Sequence, residues 1–584
     1  MYDLKARVEL LRLYLVSAIL GVTIGASVSA CYLLYELFFR VVRYILNVNL
    51  LLIVLIPPAG LLLSQAIVLF LAESKETGCG THAVLEAFHF KGGFVKLKDA
   101  LIKPLASVVT ISFYGSAGLE GPSLLLGSGI ASTISRKLKV DPTEYRDFFL
   151  AGAAAGLSAI FRAPLTGILF ALEIPYKRDI EREVFIEASI ASIVAYIVTV
   201  SILGTEPLFA ILTGSPIPSI ELLAHSIVLG LLSTVVALVF IDVHFYLELV
   251  KERLEERLKP NIFYYPILAG LLLGLFGLFF MSVGFDTPVV LGLGYDFITE
   301  MMHGSFSLSP AYMGVAVLLL VLLLKMVSTS LTLEYGGSGG IFIPTIFIGA
   351  TLGYAYAYAF NLSPKEMFIV TAMAALLAAT HKTLLTSVAF VAETCGPVSI
   401  IPAILAATIS YFLSGEKSLY PLQLPHKALR EELALEDAYS MIDEYCPDFL
   451  DTVQAKDLLS VDVPKIPETT KIRDALKIVN TSRYTIYPVV DSEGRVVGYV
   501  RLDELLEYVK EYPDMSVELV KVHSPIEVRP DEPLRGIVEK MLQSGEGMVL
   551  VVDEEGKLVG AVCEDDVLRR MLPACLRHLR KAKR

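Results

Sequence analysis

Apolar runs recur along the chain from about Leu10 to Leu413 and then stop, so hydropathy divides the sequence into two unequal parts. Runs of spanning length cover Leu13 to Leu34, Leu51 to Leu71, Leu222 to Phe240, Ile262 to Val283, and Met313 to Leu324 with its flanks. A hydrocarbon core of about 30 Å takes roughly 20 such residues, so each run predicts a membrane-crossing helix. A second kind of segment, at Ala117 to Ile130, Ala151 to Leu172, Gly339 to Leu352 and Ala372 to Val391, is apolar but rich in Gly, Ala, Ser and Pro. That composition predicts close helix packing and interrupted helices rather than lipid-facing spans.

The interrupted segments resemble each other in pairs. Gly118-Leu-Glu-Gly-Pro122 followed by SLLLGSGI lies over Gly340-Ile-Phe-Ile-Pro344 followed by TIFIGATL, at an offset of 222 positions. GLSAIFRAPLTGILFALE, ending at Glu173, lies over LLAATHKTLLTSVAFVAE, ending at Glu393, with Arg162 over Lys382 and Thr166 over Thr386, at an offset of 220. Two separate matches at nearly one offset predict an internal duplication, and paired interrupted helices predict a binding site between the halves near the bilayer midplane. The pattern leaves open whether the halves are inverted. Glu173 and Glu393, as duplicated positions, are expected to bond helix ends.

From His426 to Asp451 the chain turns polar and acidic and reads as a helical connector. Two further stretches then share one order of strand, Pro-bearing turn, amphipathic helix, strand, hairpin and strand. Their hairpins, Pro488-Val-Val-Asp491 with SEGRVVGYV and Leu550-Val-Val-Asp553 with EEGKLVGAV, each set an acidic, Gly-containing turn between Val-rich strands. The expected organisation is a membrane domain over 1–425, a linker over 426–451, α/β modules over 452–515 and 516–574, and a basic tail over 575–584.

Composition agrees with the pattern. Of 584 residues, 54% are hydrophobic and 19% charged, against about 25% charged in ordinary globular chains, which excludes a purely soluble enzyme. The balance of 49 basic and 61 acidic residues gives no electrostatic support for a nucleic-acid partner. Tryptophan is absent, leaving the 27 Tyr to form any interfacial belt. Cys31, Cys79, Cys395, Cys446, Cys563 and Cys575 are scattered without a CxxC pair, so neither a disulfide framework nor structural zinc is expected. Met1 to Arg12 leads into the first apolar run without a small-residue cleavage site, which predicts a resident helix. His82, Glu86 and His89 share one helix face and imitate a metal set, but their spacing is not HExxH, and a solvated face is expected instead. His381-Lys382 reads as an interfacial pair, and Arg577 to Arg584 as a solvated tail.

Among the carboxylates in the apolar part, Glu120 has the most informative setting. A carboxylate at the bilayer centre costs at least about 2.5 kcal/mol, so it should face a watery cavity. Gly118, Gly121 and Pro122 favour a loop that turns into a helix, whose unpaired first N–H groups attract anions. A side-chain carboxylate poised there competes with a diffusing anion until protonation releases it, so Glu120 reads as a gate and proton carrier. The second half repeats the frame with Phe342 in place of the glutamate, which predicts amide donors from Ile341 and Phe342. A third Gly-rich start, Thr77-Gly-Cys-Gly-Thr81, precedes a helix from His82.

These residues resemble the CLC chloride channels and proton-coupled chloride transporters. GLEGP at 118–122 is similar to the family's G(K/R)EGP motif, GGIFIP at 339–344 to GxFxP, and GCGTH at 78–82 to GSGIP. SGEKSLY, ending at Tyr420, is similar to the segment that supplies the central tyrosine. The resemblance implies a polytopic α-helical fold with an inverted repeat, a homodimer with one pore per subunit, and cytoplasmic termini. It implies that Glu120 is the external gate, that Tyr420 offers its hydroxyl to the anion, and that Cys79, Gly118, Gly121, Ile341 and Phe342 line the site. Chloride and protons would be the substrates, the bilayer the surroundings, and no cofactor or metal would be needed. Three departures stand out: Leu119 replaces a basic residue, Cys79 replaces a serine, and Ile174 stands where exchangers carry an internal proton glutamate. Isoleucine carries no proton, so a passive channel is the alternative to antiport.

The C-terminal pair resembles tandem CBS domains, which often bind adenine nucleotides such as ATP, ADP or AMP. The ribose-binding signature is kept in part: Asp566 fits, Cys563 replaces its hydroxyl, and Arg501 and Glu504 stand at the matching places of the first repeat. A nucleotide-sensing module on a membrane scaffold is the reading of another class.

Overall fold

The computed structural model describes residues 2–140, 144–206, 208–209, 219–258, 261–303, 311–427, 439, 442–443, 447–460, 463–479, 486–520, 522–564 and 566–567. The basic tail and most of the connector, with Cys446 and Cys575, lie outside them. The chain divides into two units, Met1–Lys427 and Ala428–Arg584.

Helices in the first unit follow one another in two similar series. The first series is α1 (Tyr2–Val48), α2 (Ile56–Leu71), α3 (Gly80–Phe90), α4 (Leu97–Ser112), α5 (Glu120–Lys137), α6 (Tyr145–Phe161), α7 (Pro164–Glu173) and α8 (Phe185–Leu203). The second is α9 (Ile220–Leu258), α10 (Tyr264–Val283), α11 (Tyr295–Met302), α12 (Ala311–Glu334), α13 (Phe342–Ala359), α14 (Lys365–His381), α15 (Leu384–Cys395) and α16 (Ile400–Leu413). α1 packs on α6 and α8 as α9 packs on α14 and α16. Among the described residues seven helical segments are long and apolar enough to cross a membrane. One of them, Arg182–Leu203, escapes the sequence reading because Arg182, Glu183 and Glu187 interrupt its beginning.

The Gly/Ala-rich segments form the buried centre. α5 crosses α6 where a Cβ on Gly127 would stand 2.1 Å from the Gly152 carbonyl oxygen, and α13 crosses α14 where one on Gly353 would stand 2.3 Å from that of Phe368. Only glycine permits such backbone approach, the usual device where helices cannot rely on hydrophobic attraction within lipid.

Equivalent residues of the halves meet directly. Gly118 donates its N–H to the Gly340 carbonyl at 2.9 Å and Gly340 returns the bond at 2.8 Å, an antiparallel pair. Two equivalent residues that exchange both backbone bonds are related by a local two-fold axis with their strands reversed. The duplication is therefore inverted. The turns after α6 and α14 agree: Arg162 and Lys382 both sit in the left-handed region, at φ 54° and 55°. Arg162 then donates to the Glu206 carbonyl just past α8, and Lys382 to the Tyr411 carbonyl and Ser414 hydroxyl at the end of α16. A cation at a helix C-terminus satisfies carbonyls left without intrahelical donors.

The second unit holds two three-stranded sheets of one design. Strands Ile466–Pro467, Ile486–Val490 and Val496–Arg501 pair in that order, and Glu527–Val528, Met548–Val552 and Leu558–Cys563 repeat it, parallel then antiparallel. In each hairpin an aspartate carboxylate, Asp491 or Asp553, accepts two turn amides, and Gly494 or Gly556 takes the positive φ that the turn requires. Ala455 and Leu458 pack in the core of the second sheet with Val528 and Leu534, although they precede the first sheet in the chain.

Candidate anion-binding site

Glu120 is the first residue of α5, and its side chain leaves its own helix for the start of α13. Its Oε1 accepts from Phe342 N at 2.6 Å and lies 3.4 Å from Ile343 N. The carboxylate thus sits where unpaired amides and the helix dipole favour negative charge. The expected donors were the Ile341 and Phe342 amides; because α13 begins at Phe342, its first two helical amides belong to Phe342 and Ile343, and these face the carboxylate.

Glycine makes the room. A Cβ on Gly118 would stand 1.8 Å from Glu120 Oε2, and one on Gly340 2.2 Å from Oε1. The reciprocal Gly118–Gly340 pair is therefore both the join between the halves and the slot that holds the carboxylate. Gly121, one residue further on, crosses the Gly339–Gly340 backbone.

Tyr420 is fully buried, with its ring edge-on to His82 at 5.4 Å and to His381 at 5.0 Å. The loop that carries it is held from several sides. Its N–H donates to the Ser418 hydroxyl, and Gln423 Nε2 donates to the carbonyls of Ile174 and His381. His82 Nε2 lies 3.0 Å from the Leu419 carbonyl. Cys79 stands in extended conformation just before α3, next to a cleft also lined by Lys103, Ser107 and Ser338. The Tyr420 hydroxyl meets the Thr81 side chain, and among the described residues Glu120 Oε2 and His381 Nε2 are buried without a hydrogen-bond partner. Each such unpartnered group costs about 1–3 kcal/mol.

The family model for the voltage gated chloride channel matches residues 59–415. The chain belongs to that family. Two CBS domain matches cover 455–511 and 518–573. Over 346 residues the chain is 30% identical to the H(+)/Cl(-) exchange transporter ClcA of Vibrio parahaemolyticus, covering 56% of this chain and 71% of that one. The ClcA of Vibrio cholerae is 27% identical over the same length, at 56% and 70% coverage. A crystal structure of a slow cyanobacterial Cl-/H+ antiporter shares the fold with a TM-score of 0.61 at 21% identity, covering 70% of this chain and 96% of that one. A eukaryotic CLC transporter structure reaches 0.59 at 18% identity and covers 96% of this chain and 98% of that one.

In this voltage gated chloride channel family member, which is a membrane protein, other residues noted in the sequence have other roles. Glu173 accepts from the amides of Leu385 and Thr386 and from the Thr386 hydroxyl, and so holds the start of α15. Ile174 is buried, its carbonyl receiving Gln423. His82 and His89 bond to backbone carbonyls of Leu419 and Pro175, and Glu86 pairs with Lys91 at 3.1 Å, so the three are not gathered at one point. His381-Lys382 is not an interfacial pair: both side chains are buried, Lys382 on the Tyr411 carbonyl and Ser414 hydroxyl and His381 against Phe342 and Tyr420. Nothing in the sequence distinguishes Gln423, and Thr81 enters there only as the end of a Gly-rich helix start.

In the CBS pair, Arg501 lies 3.4 Å from Glu546, Glu504 meets His523 at 2.9 Å, and Asp566 accepts from the Ser460 hydroxyl at 2.9 Å. Burial and the neighbouring Glu546 carboxylate push the Tyr499 phenol above its ordinary range.

Proposed function

We propose that the chain is a chloride/proton antiporter in which Glu120 is both the gate and a proton carrier. The observation that carries this reading is the Glu120 carboxylate seated on the first amides of α13, the place an anion would take. Deprotonated, it competes with chloride; protonated, it loses the charge that holds it there. Tyr420, Cys79, Gly118, Gly121 and Phe342 are the residues assigned to the anion path, with the Ile343 amide in place of that of Ile341. Ile174 favours a second reading, a passive chloride channel, because the place of an internal proton acceptor is apolar.

The assembly proposed is a homodimer with cytoplasmic termini and a cytoplasmic CBS pair, on the strength of the family resemblance. An adenine nucleotide at that pair is proposed with Asp566, Arg501 and Glu504 as contacts; without it they pair with Ser460, Glu546 and His523. Titration of the full-length protein with ATP, ADP and AMP tests that assignment, and no heat with any of them removes it. Chloride and proton fluxes measured together from purified protein in liposomes test the transport reading. Uphill proton movement driven by a chloride gradient supports antiport. Chloride flux without it leaves the channel.

A further inference from the structure

Glu334 is the last residue of α12, where the helix dipole is negative and disfavours a carboxylate. The equivalent position of the first half, 222 residues earlier, is Ser112, the last residue of α4. A serine ends that helix, so the fold by itself does not call for a carboxylate at this place. Glu334 lies against His244 of α9, whose Nε2 stands 3.4 Å from Glu334 Oε1. The imidazole is buried while the carboxylate side chain keeps 19% of its surface exposed, so the pair leads from the surface into the protein.

The hydrogen bonds around the imidazole fix where its proton sits. Ser330 donates its one hydroxyl proton to the Met326 carbonyl at 2.9 Å, so its oxygen accepts from His244 Nδ1 at 3.2 Å. Nε2 is then a lone pair facing a carboxylate oxygen. Two acceptors are held together only by a proton between them, carried by Glu334 as a neutral acid or by His244 as an imidazolium. The pair therefore holds one exchangeable proton. Glu248, Lys251 and Glu252 follow His244 on α9, and Lys251 and Glu252 act on the Glu334 carboxylate with opposite sign. Tyr335 comes next in the chain, its hydroxyl committed to the Leu247 carbonyl.

A further imidazole continues the series. His82 of α3 lies within electrostatic reach of His244. Its Nε2 donates to the Leu419 carbonyl at 3.0 Å, which leaves Nδ1 as an acceptor, and its ring is edge-on to Tyr420. The order Glu334, His244, His82, Tyr420 thus runs from a partly exposed carboxylate to a residue of the anion path. Because the halves are inverted, α9 crosses the bilayer against the direction of α1. With the N-terminus cytoplasmic as proposed, the charged end of α9 beyond His244, and Glu334 beside it, lie on the cytoplasmic side.

We propose that the Glu334–His244 pair is the inner proton acceptor of the antiport, a role that Ile174 cannot fill. The inference rests on the antiport reading above and adds a second proton site to Glu120. A proton from the cytoplasm bonds to a Glu334 carboxylate oxygen; that O–H breaks as an N–H forms at His244 Nε2, and the imidazolium releases the proton towards His82 Nδ1. Chains of buried carboxylate and imidazole are the usual proton relays of membrane proteins.

The test compares wild type, Glu334→Gln, Glu334→Asp and His244→Gln, with chloride and proton fluxes measured together in liposomes. The number of protons moved per chloride does not depend on how much protein is folded. Glu334→Gln keeps a hydrogen bond, since its amide donates to Nε2, but carries no exchangeable proton. It is expected to lower the protons moved per chloride at least about tenfold, as is His244→Gln from the other side of the pair, while Glu334→Asp keeps most of the coupling. Gln variants with the wild-type ratio overturn the proposal and leave the antiport reading standing. Wild type that moves chloride without uphill proton movement sinks the antiport reading, and this proposal with it.

Discussion

Glu173 and Glu393, 220 positions apart in the chain, each bind the first turn of the helix that carries the other. Glu173 takes the amides of Leu385 and Thr386 and the Thr386 hydroxyl; Glu393 takes those of Leu165 and Thr166 and the Thr166 hydroxyl. The exchange clamps α7 and α15 side by side in opposite directions, carboxylate to N-terminus at both ends, where the helix dipole favours an anion. It is a structural use of the same interaction that Glu120 makes at α13.

Removing one side of that clamp should therefore cost stability and leave coupling alone. Glu393→Ala strips the acceptor from three donors, and a loss of about 1–3 kcal/mol is expected. Scanning calorimetry of the detergent-solubilised protein should show a lower Tm with an unchanged chloride-to-proton ratio in liposomes. A changed ratio would assign the carboxylate a place in proton transfer instead.

Glu120→Gln keeps the shape of the side chain and removes its charge. Chloride flux in liposomes should then lose its dependence on pH, and uphill proton movement should cease. Flux that still varies with pH as in wild type counts against the gate.

The slot can be tested without touching the carboxylate. In Gly118→Ala the new methyl would stand 1.8 Å from Glu120 Oε2, so the side chain must leave the α13 amides. The expected phenotype is that of the charge-neutral gate, weak pH dependence of chloride flux, at a stability cost of about 1–3 kcal/mol. An unaltered pH profile in a folded protein contradicts the slot.

In the second unit, Arg535 joins Asp443 at 2.6 Å and Asp451 at 2.8 Å, tying the helix Pro447–Thr452 to the helix Leu534–Ser544. The hydrogen bond from Arg535 holds the Asp451 carboxyl below the usual carboxylate range. A lowered acid pKa stabilises the fold above its unfolded value and loses that effect as pH falls through the folded one. Hydrogen exchange on the full chain should show the Pro447–Thr452 amides protected at neutral pH and released on acidification. Arg535→Met should release them at neutral pH as well.

Much of this was legible in the chain. Glu120 stood out because a charge among apolar residues is costly and because the glycines and proline around it specify a helix start. The repeat was legible from residues that recur at one spacing: Gly118 with Gly340, Glu173 with Glu393, Arg162 with Lys382. Less was legible where burial depends on partners distant in sequence. His381-Lys382 read as interfacial since adjacent polar residues usually face water, yet both are buried by partners about 30 to 40 residues away, Tyr411, Ser414 and Tyr420.

By itself the sequence determined where most of the membrane-crossing helices run, that the halves are duplicated, and which carboxylate stands out among apolar residues, because hydropathy, glycine and the cost of a buried charge act locally. Only the tertiary structure decided that the duplication is inverted, that Glu120 reaches the amides of Phe342 and Ile343, and that His381 meets Tyr420. Those relationships join segments about 40 to more than 220 residues apart, and no local periodicity records which of two packed backbones a side chain will cross to.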